Sequence, residues 1–252
     1  MKRGALALLA TVVAGCGGGG GPAVDTVETE VASDAVGRTL PLRIVVPEGG
    51  GAGRPLLVFL HGRGVSAGGH VGDGFREAYA ALGERAPVVA FPYGGESSYW
   101  HDRADGDWGR YVVDEVIPQA LERTGADERR VALGGISMGG FGALDLASRG
   151  LDGLCAVGAH SPAIWQSAGE TAAGAFDDAE DFAAHDVIAR AGRLRGIPLW
   201  VDIGEDDPFR PGAQGFADAA GARLRVFDGG HEGGYWDAHW PDYLRFYAGA
   251  CN

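Results

Sequence analysis

An apolar run, Val131-Ala132-Leu133, enters Gly135-Ile136-Ser137-Met138-Gly139-Gly140 and leaves through Phe141-Gly142-Ala143-Leu144-Asp145-Leu146-Ala147. The first run has strand character and the last has helix character, so the chain must change from one to the other around Ser137. A turn that sharp strains the serine backbone and closes only if the residues two before and two after carry little or no side chain. Gly-x-Ser-x-Gly alone is a cheap pattern in a chain with 45 glycines. The strand before it and the helix after it turn the pattern into a constraint on fold.

The rest of the chain repeats that alternation. Residues 26–46 alternate loosely and predict an antiparallel pair of edge strands. Pro55-Leu56-Leu57-Val58-Phe59-Leu60 is continuously apolar, as a strand buried on both faces should be. Further strands are expected over Pro87–Phe91, Arg130–Gly135, Gly153–Ala159, Pro198–Ile203 and Arg223–Phe227. Helices are expected over Gly74–Gly83, Met138–Ser148, Val187–Leu194, Phe216–Ala220 and Trp236–Tyr247. Another follows Asp107 as N-cap, with a kink or break at Pro118. Residues 161–185 lack periodicity and predict a short, irregular excursion over the site. Strands alternating with helices imply one α/β domain, its mostly parallel sheet covered on both faces. A chain of 252 residues suffices for one such domain.

The beginning of the chain has a different character. Lys2-Arg3, the apolar stretch Gly4–Ala14 and a small-residue site ending at Cys16 predict a signal peptide over residues 1–15. A cysteine at that place resembles the bacterial lipobox, so Cys16 is a candidate for lipidation, anchoring the protein on the extracytoplasmic side of a membrane. Without acylation the same segment predicts secretion. Residues 16–25, with the run Gly17–Gly21, read as a flexible tether, and 26–252 as the folded domain. A net charge of -13 with no basic stripe argues against nucleic acid as a partner. Cys155 sits in an apolar run and reads as a buried small hydrophobe, while Cys251, next to the end, reads as mobile; a bond between them stays open. No metal-ligand spacing stands out.

Reactive groups in parallel sheets collect at the carboxyl ends of strands. Ser137 lies at one such end, Gly204-Glu205-Asp206-Asp207 at a second, and Gly229-Gly230-His231 at a third. The order serine, acid, histidine is that of a nucleophile, its orienting carboxylate and its general base. Asp207, three residues past Gly204, is favoured over Asp206 as the acid. The developing oxyanion requires backbone N–H donors, for which Met138 and either Arg63 or Gly64 are the candidates. His160 is read as a substrate contact or a satisfied structural group, His61 as a structural hydrogen-bonder and His101 as a candidate pocket residue. His239 falls inside a helix.

With these positions in place, the chain resembles the putative esterase family of the α/β-hydrolase superfamily, which includes esterase D/S-formylglutathione hydrolase, feruloyl esterases and mycobacterial mycolyltransferases. The resemblance rests on Leu60-His61-Gly62, Tyr99-Trp100, Gly135 to Leu144, Ser161-Pro162-Ala163-Ile164-Trp165, Gly204-x-x-Asp207-x-Phe209 and Gly230-His231-x4-Trp236. It implies an α/β-hydrolase fold and ester hydrolysis through an acyl-serine, without metal or cofactor. Small-molecule or carbohydrate esters are the implied substrates, in an open pocket walled by Tyr99, Trp100, His160 and Trp165, with Trp236 supporting the His231 loop. Acyl transfer to a cell-envelope sugar by the same three residues is the alternative, and a non-catalytic binding protein on the same scaffold a weaker one. The acyl group, the alcohol and the oligomeric state are not legible at this level.

Overall fold

Leu56, Val58 and Leu60 point into one apolar layer and Leu57 and Phe59 into another. That division follows from the two-residue period of a strand and explains why the whole run had to be apolar. The computed structural model describes residues 24–65 and 69–252. The expected signal peptide, Cys16 and nearly all of the expected tether lie outside them.

The chain runs β1 (Asp25–Ser33), β2 (Arg38–Val46), β3 (Leu56–Leu60), α1 (Asp73–Ala80), β4 (Val88–Pro92), then a two-residue hairpin of β5 (Asp102–Arg103) and β6 (Gly106–Asp107). It continues through α2 (Trp108–Arg110), α3 (Ile117–Thr124), β7 (Val131–Ile136), α4 (Met138–Ser148) and β8 (Leu154–His160). The last third holds α5 (Ala179–Ala184), α6 (Val187–Arg190), β9 (Leu199–Gly204), α7 (Arg210–Ala220), β10 (Leu224–Phe227) and α8 (Gly233–Ala250). Eight strands form one sheet in the order β1-β2-β4-β3-β7-β8-β9-β10. β2 pairs antiparallel with β1 and β4, and every later pair is parallel. Helices α1 and α8 close one face around Phe75, Tyr79, Trp240, Tyr243 and Tyr247; α3, α4 and α7 close the other. This is the α/β-hydrolase architecture expected from the sequence.

Four local expectations are corrected. Asp107 occupies the N-cap position of α2, but its backbone is not extended and its carboxylate takes the Arg110 guanidinium instead. Asp102 accepts the free N–H groups of Gly109 and Arg110 at 2.8 and 3.0 Å. Pro118 does not end the helical path, although the helix type changes just before it. A wide π-helical stretch, Tyr111–Val116, hands over to α3 with Pro118 in its first turn, so the change of hydrogen-bond pattern falls where the proline lacks its N–H. Helix α7 begins at Arg210, six residues before the expected start, because Gly212 and Gly215 mask its helical character. Within 161–185, Asp178 caps α5 through the N–H groups of Glu180 and Asp181, so the excursion is partly helical.

A fifth correction is larger. Cys155 and Cys251 form a disulfide, with their Cα atoms 5.3 Å apart, and Cys251 is 3 % exposed. The end of the chain is therefore fixed, joining the start of β8 to the end of α8.

Candidate active site

Strand β7 hands over to α4 at Ser137, whose backbone sits at φ 56, ψ -114. Such a conformation is costly for a residue with a side chain and needs close support. It is held by Ser137 N–H to His160 C=O at 2.9 Å, and by Ala163 and Phe141 N–H groups to Ser137 C=O at 3.0 Å each. A Cβ on Gly139 would overlap the Leu60 carbonyl, and one on Gly135 the Gly139 carbonyl. Both glycines are therefore required by contact as well as by the turn.

Three strand ends meet above that turn. Ser137 Oγ donates to His231 Nε2 at 2.8 Å, and His231 Nδ1 donates to Asp207 Oδ2 at 2.8 Å. Asp207 is 3 % exposed, and its other oxygen accepts the Phe209 N–H at 2.9 Å. Asp206 points to solvent and is not in the line. The His231 ring lies against Phe209, 5.0 Å between centroids, and meets Trp236 at 5.1 Å in an edge-on contact. One oxygen on Asp207 for the imidazole and one for the backbone leave His231 a single orientation.

Above β3, Gly64 N–H donates to Glu96 C=O at 3.0 Å. Among the described residues no acceptor takes the N–H of Arg63 or of Met138. The Arg63 side chain is exposed and reaches the Ala173 carbonyl at 3.4 Å. His61 is buried beneath, donating from Nδ1 to Gly62 C=O at 2.8 Å and accepting Gly94 N–H on Nε2 at 2.9 Å. Burial holds its pKa below the ordinary histidine value, with smaller opposing contributions from Gly62 and Glu96.

The structure does not bring all of the expected pocket together. Trp100 is fully buried, its indole N–H donating to His61 C=O at 3.1 Å, and its ring packs where a Cβ on Gly142 would be. It is core, not pocket wall. His160 is also fully buried: Nδ1 donates to Asp202 Oδ1 at 2.7 Å and Nε2 accepts from Tyr247 OH at 2.9 Å. With both ring nitrogens engaged, it has no group to offer a substrate. Asp202 further accepts from Trp200 Nε1, Tyr235 OH and Tyr243 OH at 2.7, 2.8 and 2.9 Å. Nothing local in the sequence around Asp202 indicated this hub.

Tyr99 is 3 % exposed and lies behind Trp165, 5.4 Å between ring centroids. Burial raises its phenol pKa, opposed by the guanidinium groups of Arg63 and Arg103. Trp165 is partly exposed and, with Ile164, Gln166, Glu170, Pro208 and Phe209, borders a cleft of about 340 Å³. Phe209 joins that cleft to His231 and was not singled out as a pocket residue, although Gly204-x-x-Asp207-x-Phe209 carried its signal.

Comparisons with known proteins agree with this fold. A ferulic acid esterase superimposes with a TM-score of 0.75 at 23% identity, covering 90% of this chain and 97% of that one. An S-formylglutathione hydrolase from Agrobacterium tumefaciens gives 0.76 at 18% identity, with 91% and 96% covered. A fluorophosphonate-binding serine hydrolase of Staphylococcus aureus gives 0.73 at 16% identity, with 89% and 98% covered. At these identities the likeness establishes the fold. No curated protein sequence matches the chain. The model of the family described as putative esterase matches residues 33–247. The chain thus belongs to the putative esterase family of carboxylic-ester hydrolases, built on the α/β-hydrolase fold.

Proposed function

We propose that the protein hydrolyses a carboxylic ester through an acyl-serine on Ser137, outside the cytoplasm. The observation that carries this reading is the continuous hydrogen-bonded line from Ser137 Oγ through His231 to Asp207. Ser137 Oγ attacks the ester carbonyl carbon while its proton passes to His231 Nε2. Asp207 holds the imidazole orientation and stabilises the imidazolium. The N–H groups of Met138 and Arg63 receive the oxyanion, since the Gly64 N–H is already engaged with Glu96. The carbon–oxygen bond to the alcohol breaks, and the alcohol leaves with the proton from His231. A water molecule then repeats the sequence on the acyl-serine, releasing the acid.

The partly open cleft beside Trp165 and Phe209 suits a small ester or an ester on a carbohydrate. A disulfide supports an oxidising compartment, and the pattern ending at Cys16 supports lipid anchoring. The test combines an alkyl fluorophosphonate probe with p-nitrophenyl acetate hydrolysis. Wild type should be labelled and active, and Ser137→Ala neither; equal labelling of the two would end the assignment. Palmitate incorporation that disappears in Cys16→Ser tests the anchor separately.

A further inference from the structure

Behind the Tyr99–Trp165 wall, three side chains from separate stretches of chain converge. His101 follows the buried Trp100, Asp181 lies in α5, and His185 follows its last residue. Asp181 and His185 are four apart and so share one helical face. His101 Nδ1 and His185 Nε2 each lie 3.5 Å from Asp181 Oδ1, and the three ligand atoms fall within 4.8 Å of one another. The far nitrogens each face an acceptor, and that of His185 also faces an arginine donor. His101 Nε2 donates to Ala175 C=O and His185 Nδ1 to Asp145 Oδ1, each at 3.1 Å. Arg149 Nη2 also approaches His185 Nδ1, at 3.0 Å, but is engaged with Asp145 Oδ2 at 2.7 Å.

With protons on the far nitrogens, towards Ala175 C=O and Asp145 Oδ1, the near nitrogens carry lone pairs. Two imidazole lone pairs and a carboxylate oxygen are then turned towards one another, with the Asp102 carbonyl a further acceptor 3.4 Å from His101 Nδ1. Acceptors facing acceptors repel unless a proton or a metal cation lies among them. We propose that His101, Asp181 and His185 bind a divalent cation of the zinc class, which ties the loop after β4 to the 161–185 excursion.

Zinc at 2.0–2.1 Å from tetrahedral ligands places neighbouring ligand atoms roughly 3.3–3.4 Å apart, close to both 3.5 Å separations. Two imidazoles favour zinc over calcium or magnesium, which take oxygen ligands. A carbonyl and a carboxylate on the far nitrogens are the usual support for metal-bound histidines. Three arginines lie nearby, but Arg103 is paired with Asp177, Arg149 with Asp102 and Asp145, and Arg190 with Asp145. His101 is fully buried, whereas His185 and Asp181 keep 11% and 13% exposure, which leaves the ion a way in. His101 stacks on Phe176, and Phe176 packs on Tyr99 and on Phe141 of α4, so a bound cation would fix the wall next to the elbow helix.

The experiment uses chelator-stripped full-length protein titrated with Zn²⁺ against a chromophoric competitor, alongside thermal unfolding. One equivalent should bind, and free Zn²⁺ at about 100 times its Kd should raise Tm by roughly 5–10 °C. Asp181→Asn and His185→Gln, both at partly exposed positions, should fold and lose the uptake and the shift. Co²⁺ should give visible absorption in wild type and not in these variants. No zinc-dependent shift in wild type, with His185 doubly protonated in its nitrogen spectrum, would assign the position to a proton and overturn the proposal. Uptake that survives in both variants but disappears in His231→Ala would place the ion at the ester-cleaving site and overturn it equally.

Discussion

Two Asp–His pairs lie close together in this molecule, one on strands β8 and β9 and one in the loops after β9 and β10, with nearly the same bond and opposite surroundings. His231 and Asp207 are 2.8 Å apart, and His160 and Asp202 are 2.7 Å apart. In the first pair the histidine side chain is 23% exposed and its free nitrogen meets a serine hydroxyl. In the second pair both side chains are fully buried, and the free nitrogen meets the phenol of Tyr247. Burial and the carboxylate raise the pKa values of Tyr235 and Tyr243, and burial that of Tyr247 ahead of Asp202, so these phenols remain protonated donors. An Asp–His bond is thus no sign of chemistry by itself. What distinguishes the two is whether the histidine stays partly exposed with its second nitrogen facing a serine hydroxyl.

That contrast can be broken from either side. Ser137→Ala or His231→Gln should lower turnover by about 10⁴–10⁶-fold with little change in Tm, measured by p-nitrophenyl ester hydrolysis. Asp207→Asn should cost about 10⁴-fold through loss of the right tautomer, whereas Asp206→Asn should stay within a few-fold. The reverse ranking for the two aspartates would mean that the His231 line is not the working one.

The buried pair should answer in stability. Asp202→Asn removes the charge that four donors address, and unfolding in urea should show a loss of about 3–5 kcal/mol. Turnover per folded molecule should change far less than in Asp207→Asn; a fall of similar size would make the two pairs one functional unit. The disulfide belongs to the same side of the comparison, because β8 carries His160 and α8 carries Tyr235, Tyr243 and Tyr247. Reducing it should cost about 2–5 kcal/mol, read as a drop in Tm, and leave turnover per folded molecule unchanged.

His61 supplies the smallest effect and a third environment. Its folded pKa is lowered by burial, and Nε2 already accepts Gly94 N–H, so protonation must break that bond. The unfolded chain therefore binds the proton more readily than the folded one. This contribution to stability is complete above about pH 6.5 and is lost as pH falls below it, at up to about 1.4 kcal/mol per pH unit. Urea titrations at pH 7 and 5 on wild type and His61→Asn should show the slope shrinking in the variant.

Much of this arrangement was legible before any coordinates. The continuous apolar runs could only be strands covered on both faces, and their Gly- and Asp-rich ends placed Ser137, Asp207 and His231 at neighbouring tips of one sheet. Phe209 was within a quoted motif but went unassigned, because ring packing across 22 residues has no local trace. The aromatic pair Tyr99-Trp100 showed an unusual loop, and both residues do have positive φ. Its identity as core was hidden, since polar-aromatic composition suits a pocket wall equally well. Asp181 and His185 stand four apart, but His101, 80 residues before Asp181, has no local link to either.

Local pattern was enough wherever one strand end or one turn decides the outcome. Gly135 and Gly139 had to be glycine because the turn at Ser137 brings backbone against backbone, and that demand is written within five residues. The sequence thereby determined the sheet, the elbow and the order of serine, acid and histidine. Tertiary structure alone decided which histidine faces Ser137 and which is sealed under Tyr243 and Tyr247, that Cys155 meets Cys251 across a separation of 96, and which aromatics reach the cleft. Each of those outcomes depends on what packs against a side chain from a distant part of the chain, and burial of that kind has no period.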